Sequence, residues 1–281
     1  MTTIAPILAL SASMLLAPSQ DVTLRRTFTA GQKEVFTTQT RVQMNIDLSS
    51  FGQDNMTYTM TQSSKMSIEY GSTGDDGKTA ITMTFSDMKM DMSGLPGMES
   101  LPGGMLPESY VVKAKIDALN VLSDLTLEGL NEQQRAAVQT GIAFLQASFP
   151  VFPEQAIKVG DSWETSLPEN KELGLGASTI KTTYNGLMDV GGKPMIKLTS
   201  TTKMPMAMNP ASMMGGGGEG MPAMNVTGQM EIEVEFYLDP QTRAIADSNT
   251  KGRMQQVMEM VDMGFKIPMQ GNIVGTMKRS S

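Results

Sequence analysis

Along most of the chain after Val22, apolar and polar residues alternate with a period of two, and this alternation restricts the fold more than any other feature of the sequence. Residues 56–60 place Met, Tyr and Met on one side and two Thr on the other, and residues 81–85 repeat the arrangement. In Met230–Leu238, five apolar residues alternate with three Glu and one Tyr. Because successive side chains of a strand point to opposite faces, these segments are predicted to be strands that bury one face.

Short turn sequences separate the alternating segments. Ala30-Gly31, Gly74–Gly77, Gly191-Gly192 and Asp239-Pro240 each lie between two of them. Such turns usually join neighbouring antiparallel strands. The sequence therefore predicts a mainly β protein with a large, curved, antiparallel sheet that resembles half a barrel. The sheet is built either as one strongly bent sheet or as two similar halves.

One segment near the middle of the chain, from Asn131 to Ser148, departs from the period of two. Its apolar residues recur at spacings of four, three and four, which places them on one face of a helix: Val138, Ile142, Leu145 and Phe149. Asn131 and Gln134 have the spacing of a capping box, and Pro150 stops the helix. We expect one central amphipathic helix that packs on the sheet.

The segments on either side of this helix follow a similar order. A Gly-Lys pair at 77–78 or 192–193 is followed by a strand, a loop rich in Gly, Pro and Met, and a further strand. This order suggests an internal duplication, although hairpins resemble one another without common descent. We expect a first β half at 20–130, a helix with a Pro-bounded connector at 131–153, and a second β half at 154–281.

The first 19 residues are predicted to be a signal peptide. Ile4–Ala17 carries no charge and is too short to span a bilayer, and small residues follow it near a cleavage site at Ser19-Gln20. No Lys or Arg precedes this stretch, so a buried first strand or helix is the alternative. From this signal we expect a secreted or periplasmic bacterial protein with no transmembrane span, and the absence of Cys predicts that it is not lipid-anchored.

The composition excludes several classes of function. With 22 Lys and Arg against 29 Asp and Glu, the net charge is -7, which argues against a nucleic-acid partner. The absence of His and Cys excludes Ser-His-Asp triads, thiol nucleophiles and the usual zinc, haem and iron–sulfur sites. We therefore expect a non-catalytic protein without a cofactor. In an enzyme, carboxylates such as Glu231 or Asp247 would have to do the chemistry.

Methionine, with 28 residues, is the unusual component of this sequence. Its thioethers adapt to varied shapes and are also soft ligands that select Cu(I). Three interpretations are open: simple packing in core and loops, a soft apolar surface for a ligand or partner, and a Cu(I) site. The candidates for contact with a hydrophobic ligand are Met56, Met60, Met83, Met90 and Met92. The candidates for Cu(I) ligation are Met204, Met206, Met208, Met213 and Met214.

Val159–Trp163 reads Val-Gly-Asp-Ser-Trp and follows a Pro-bounded segment. Gly160 and Asp161 suit a turn in which the carboxylate accepts from backbone amides, and Trp163, the only Trp, suits a large core anchor. We assign structural roles to these three residues. The box resembles that of a family of uncharacterised bacterial secreted and envelope proteins, a domain of unknown function. This resemblance implies a curved antiparallel sheet similar to the half-barrels of the lipoprotein carriers LolA and LolB, and it carries over no catalytic residue.

These observations predict an exported, non-catalytic protein that binds through a Met-rich concave face. Its partner would be a lipid, an acyl chain or another protein of the envelope. A purely structural role in the envelope and Cu(I) binding through clustered methionines are the alternatives.

Overall fold

In the computed structural model, the described residues are 21–94, 107–143, 145–171, 174–208 and 224–280. These residues form eleven strands and one α-helix. The elements are β1 (Lys33–Ile46), β2 (Met56–Thr73), β3 (Thr79–Ser93), β4 (Ser109–Ile116), β5 (Leu122–Glu128), α1 (Glu132–Ala143), β6 (Ser162–Leu167), β7 (Ser178–Val190), β8 (Lys193–Met208), β9 (Met224–Leu238), β10 (Ile245–Met260) and β11 (Phe265–Arg279).

All eleven strands belong to one antiparallel sheet, in the order β5-β4-β3-β2-β1-β11-β10-β9-β8-β7-β6. The chain steps outward from β1 to one edge at β5, crosses through α1 to the other edge at β6, and returns until β11 pairs with β1. β5 and β6 are the two edges, so the curved sheet is not closed. The prediction of a mainly β protein with a large curved antiparallel sheet is confirmed, and the structure has one continuous sheet.

A hydrophobic core fills one end of the inner face of the sheet. Along β9, Phe236 and Leu238 are buried there, whereas Glu231 and Glu233 point to the outer face and are exposed. The period of two in the sequence therefore corresponds to two faces with different surroundings. We call this packed region the main core, and its fully buried members include Leu24, Phe36, Ile68, Tyr70, Met83, Val112, Ile116, Leu198, Phe236 and Leu238.

Helix α1 covers this packed end, and it is shorter than the sequence pattern predicts. Asn131 caps it: the Asn131 side chain accepts from the Gln134 amide at 2.8 Å, and the Gln134 side chain accepts from the Asn131 amide at 3.2 Å. Val138 is buried in the main core and Ile142 packs against it. The helix ends at Ala143, and a single 3-10 turn at Gln146–Ser148 follows. The central amphipathic helix predicted from Asn131 to Ser148 is therefore not supported, because Leu145 and Phe149 enter the core from the connector that follows α1.

A buried ion pair ties the segment before β1 to the sheet. The Arg26 guanidinium donates to both carboxylate oxygens of Glu34, at 2.7 and 2.8 Å, and both side chains are almost fully buried. The Tyr70 hydroxyl donates to Glu34 at 2.8 Å, and burial raises its pKa, so this proton is retained. Arg26 also donates to Asn120, whose amide donates to the Pro150 carbonyl at 3.0 Å. The Arg26 side chain thus links β1, β2 and the turn after β4, and Asn120 extends the network to the connector.

Replacement of Arg26 by Met should lower the free energy of unfolding by about 3 to 5 kcal/mol, because Glu34 would stay buried without its main cation. The double variant Arg26→Met/Glu34→Leu should recover much of this loss, since no buried charge is left. The matched control is Lys33→Met, which breaks the exposed pair with Glu69 and should cost less than about 1 kcal/mol. Urea denaturation measures all three, and equal losses in the two single variants would contradict a dominant role of burial.

Gly228 occupies a position in β9 where the neighbouring strand approaches closely. A Cβ at this residue would collide with the backbone oxygen of Gln255 and lie 2.7 Å from the Cα of Gln256, both in β10. Backbone atoms of a paired strand cannot move aside without disturbing the ladder. A Cβ at Gly275 in β11 would meet its nearest atoms at 3.4 Å, which is ordinary contact.

Gly228→Ala should therefore destabilise the protein by about 1 to 3 kcal/mol through overpacking. Gly275→Ala should change the stability by less than about 1 kcal/mol, because the added methyl fits. Thermal unfolding of the two variants side by side is the measurement. Indistinguishable melting temperatures would show that β9 and β10 are not held as closely as the structure has them.

Candidate ligand-binding surface

Beyond the main core, methionine is the most frequent residue on the inner face of the sheet. The change occurs along single strands: β1 gives Phe36 to the main core and Met44 to a second cluster, and β11 gives Met277 and Met269 in the same way. Two small clusters form this region and share the partly buried Met208 and Met254. We define the methionine face as Met44, Met60, Met90, Met92, Met204, Met206, Met208, Met230, Met254, Met258 and Met269.

The pairing register places these side chains in rows that cross the sheet. Met204 on β8 lies directly opposite Met230 on β9, and Met230 lies opposite Met254 on β10. The same row continues through Gly271 on β11 to Met44 on β1. Since neighbouring strands are about 4.8 Å apart, adjacent thioethers in a row are in contact range. Residues from both ends of the chain therefore build one surface.

Glycines inside the rows give the methionine side chains room. A Cβ at Gly271 would overlap the sulfur of Met44 and lie 3.0 Å from the terminal methyl of Met254, so both thioethers lie over the glycine. In the next row, the Gln256 side-chain amide reaches over Gly228 and donates to the sulfur of Met206 at 3.6 Å. These long side chains lie over glycine, where no side chain opposes them, so they can adopt several rotamers.

The methionine face is uncharged and only partly closed to solvent. At the paired inner positions of this part of the sheet, the described residues are apolar, Gly, Ser, Thr, Gln or Tyr. Burial raises the pKa of Tyr58, which keeps its hydroxyl neutral. Met44, Met204 and Met230 are buried, whereas Met254 and the other members on strands β2, β3 and β10 are half-buried. The surface can thus contact an apolar molecule without desolvating a charge.

The outer face has the opposite character. Lys197 donates to Glu235 at 2.5 Å, and this hydrogen bond lowers the pKa of Glu235 and raises that of Lys197. Glu231 pairs with Lys203 at 3.0 Å. Burial raises the pKa of Asp247. Glu231 lies opposite Arg253 on β10, and Asp247 is six residues from Arg253 along that strand, which is about 20 Å. The two carboxylates considered for catalysis are therefore far apart on the convex side.

The five methionines proposed for hydrophobic ligands do not share one environment. Met60 lies opposite Met92, and Met90 lies next to them on β3, so these three belong to the methionine face. Met56 is at the start of β2, opposite Ile46. Met83 is fully buried in the main core, where packed neighbours close it to a ligand.

The methionines proposed for Cu(I) fall partly on the same face. Met204 and Met206 are buried and Met208 is half-buried, two residues apart along β8. Met213 and Met214 lie outside the described residues. Within the described ranges, no group of three or more carboxylates could hold a metal ion. Sequence reasoning missed Met230 and Met254, which complete the row with Met204, because register is not visible in the sequence.

The three residues assigned structural roles lie where the connector meets the sheet. Gly160 has a φ of +93°, which favours glycine, and its N–H donates to the Tyr184 carbonyl at 2.8 Å. The Asp161 carboxylate accepts from the Lys158 amide at 2.8 Å. Trp163 packs against the main core, and its indole N–H donates to the Val151 carbonyl at 2.7 Å.

Comparison with known proteins gives a fold neighbour and a partial family match. The chain matches no curated protein. A solved structure titled "Lipid-protein interactions in lipovitellin" aligns over 91% of this chain with a TM-score of 0.50 and 12% identity, and this chain spans 26% of that one. None of the described helices is long and apolar enough to cross a membrane. Residues 137–242, which contain the Val159–Trp163 box, match the model of a family of unknown function, DUF6263, and the predicted relationship to such a family is confirmed over this part of the chain.

Proposed function

We propose that the protein is exported and non-catalytic and that it holds an acyl chain, or another apolar ligand of similar shape, against the methionine face. The observation that carries this proposal is the change along the inner face from a filled core to an uncharged, half-buried thioether surface. Concave surfaces lined by apolar side chains are typical of ligand-binding sites. The export part rests on the uncharged stretch Ile4–Ala17 of the sequence.

The chemistry of the face suits a flexible, unbranched ligand. Met has three rotatable bonds and a polarisable sulfur, so a row of Met can adjust to an acyl chain at many positions along its length. Because Gly271 has no side chain, the thioethers of Met44 and Met254 lie over its backbone, and a change of rotamer would turn them towards a ligand. Because the sheet is open between β5 and β6, its curvature can change more easily than that of a closed barrel.

The fold neighbour is consistent with this proposal, but it is not the evidence on which the proposal rests. The lipovitellin structure is described by its title as a study of lipid–protein interactions, and about a quarter of that chain has a fold similar to this one. At 12% identity the likeness concerns the fold alone. The case for an apolar ligand therefore depends on the residues of the inner face.

The first test is the binding of a fluorescent long-chain fatty acid to the purified full chain. Met254→Gln/Met258→Gln keeps the side-chain length at two half-buried positions but adds amides, so the affinity should fall by about tenfold or more, which is about 1.4 kcal/mol. Met188→Gln is the matched control, because Met188 is exposed on β7 and should not affect binding. Urea unfolding of each variant checks the fold.

Native mass spectrometry of protein taken from cells should also show bound lipid. An absence of saturable binding by the unmodified chain would contradict the proposal and favour a protein partner or a structural role in the envelope. Equal affinity in the Met254→Gln/Met258→Gln variant and the control would place the ligand elsewhere.

Cu(I) binding is the second candidate function, and it is favoured by the row Met204, Met230 and Met254, in which three thioethers lie side by side. The variant with all three changed to Leu separates the two functions. Leu keeps the apolar volume but has no sulfur, so a Cu(I) site should be lost in a bathocuproine competition while binding of the fatty acid continues. If the unmodified chain cannot compete with bathocuproine, the copper candidate fails.

A further inference from the structure

We propose that the turn between β10 and β11 inserts into the surface of an uncharged lipid bilayer and so brings the methionine face to its source of ligand. This inference rests on the proposed function. Val261, Met263 and Phe265 are 48%, 49% and 43% exposed, although apolar. Of the eight large apolar side chains that are exposed among the described residues, three thus fall within five consecutive positions.

The local backbone holds these side chains outward. Val261–Met263 forms a 3-10 turn, and Gly264, with a φ of +66°, ends it. The ring of Phe265 packs against Phe51 from the turn after β1, with 4.9 Å between the ring centroids. Because β1 and β11 are paired, the two turns lie side by side at the same end of the sheet. The tip is therefore supported by a neighbouring turn.

The tip is continuous with the methionine face. Met260 pairs with Phe265 at the base of the turn, and the next inner pair is Met258 with Ile267. Both pairs lie on the inner side of the sheet and carry no charge. An apolar ligand that leaves the bilayer at the tip would meet an uncharged path, through Gln256 and Met269, to the row that contains Met254.

The size and charge of the tip favour a lipid surface over a protein partner. Three exposed side chains in one turn offer little area compared with the roughly 800 Å² per partner that a stable protein interface needs, whereas insertion of a few apolar groups gives weak, reversible binding to a lipid surface. Glu259 and Lys266 form an exposed pair at 3.7 Å, and Asp262 adds a negative charge. With a net charge of -7 on the whole chain, anionic lipid would not attract the protein.

The experiment is flotation of the full chain with vesicles of phosphatidylcholine, which has no net charge. Val261→Ser/Met263→Ser should reduce the bound fraction by about tenfold, and it leaves the contact between Phe265 and Phe51 in place. The matched control is Leu187→Ser/Val274→Ser, which removes two apolar side chains that are more exposed than Val261 and Met263 from other parts of the sheet, and it should float like the unmodified chain.

A second measurement reports insertion directly. A Trp placed by Met263→Trp should be quenched by brominated phosphatidylcholine, whereas Trp163 in the unmodified chain and a Trp placed by Val274→Trp should not. Loss of flotation in the tip variant with unchanged fatty-acid binding in solution supports docking as a separate step. Tip-dependent flotation without any fatty-acid binding supports docking and overturns the proposed function alone.

Three results would overturn the docking proposal. The unmodified chain could fail to float, the tip variant could float as well as the control, or Met263→Trp could escape quenching. Self-association of the chain that depends on the tip, without vesicle binding, would assign the surface to a second copy instead.

Discussion

The pairing of β1 with β11 is the constraint on which the rest of the structure depends. It joins the first strand of the described sheet to the last one and places Met44 next to Gly271, more than two hundred residues later. Contacts so distant in sequence close a long loop and form late, so they need strong local support from neighbouring strands. Without this pair, β1–β5 and β6–β11 would be two sheets, and the row from Met204 to Met44 would be cut between Gly271 and Met44.

One end of the inner face is solidly packed, whereas the other is lined by flexible side chains. At the solid end, the connector after α1 contributes Leu145, Phe149, Phe152 and Ile157 to the main core, and the Arg26–Glu34 pair locks the segment before β1. These contacts fix the curvature of the sheet there. Further along the same strands the inner positions are methionine and glycine, whose packing is loosely specified.

The sequence predicts well which side of a strand a residue lies on, but it predicts poorly how deeply the residue is buried. Alternation of Met with Thr correctly places Met60 and Met83 on the inner side of strands, but one is half-buried on the methionine face and the other is sealed in the main core. Depth depends on the register and order of strands, which arise from pairings distant in the sequence. For the same reason, no local pattern connects Arg26 with Glu34 and Tyr70, or Met204 with Met254. The helix was placed from the spacing of Leu145 and Phe149, although these residues reach the core through the connector.

The distribution of charge follows from the curvature of the sheet. On the concave side, neighbouring side chains exclude water from a residue that faces inward. On the convex side, an outward side chain stays hydrated. Lys and Glu therefore occupy the outer positions of β8, β9 and β10, where they form exposed or half-exposed pairs such as Lys203 with Glu231. Their presence also hinders a second sheet from stacking on the convex side. The concave side, without charge between Met204 and Met44, is the one surface of the described sheet on which an apolar ligand could lie without stripping water from an ion.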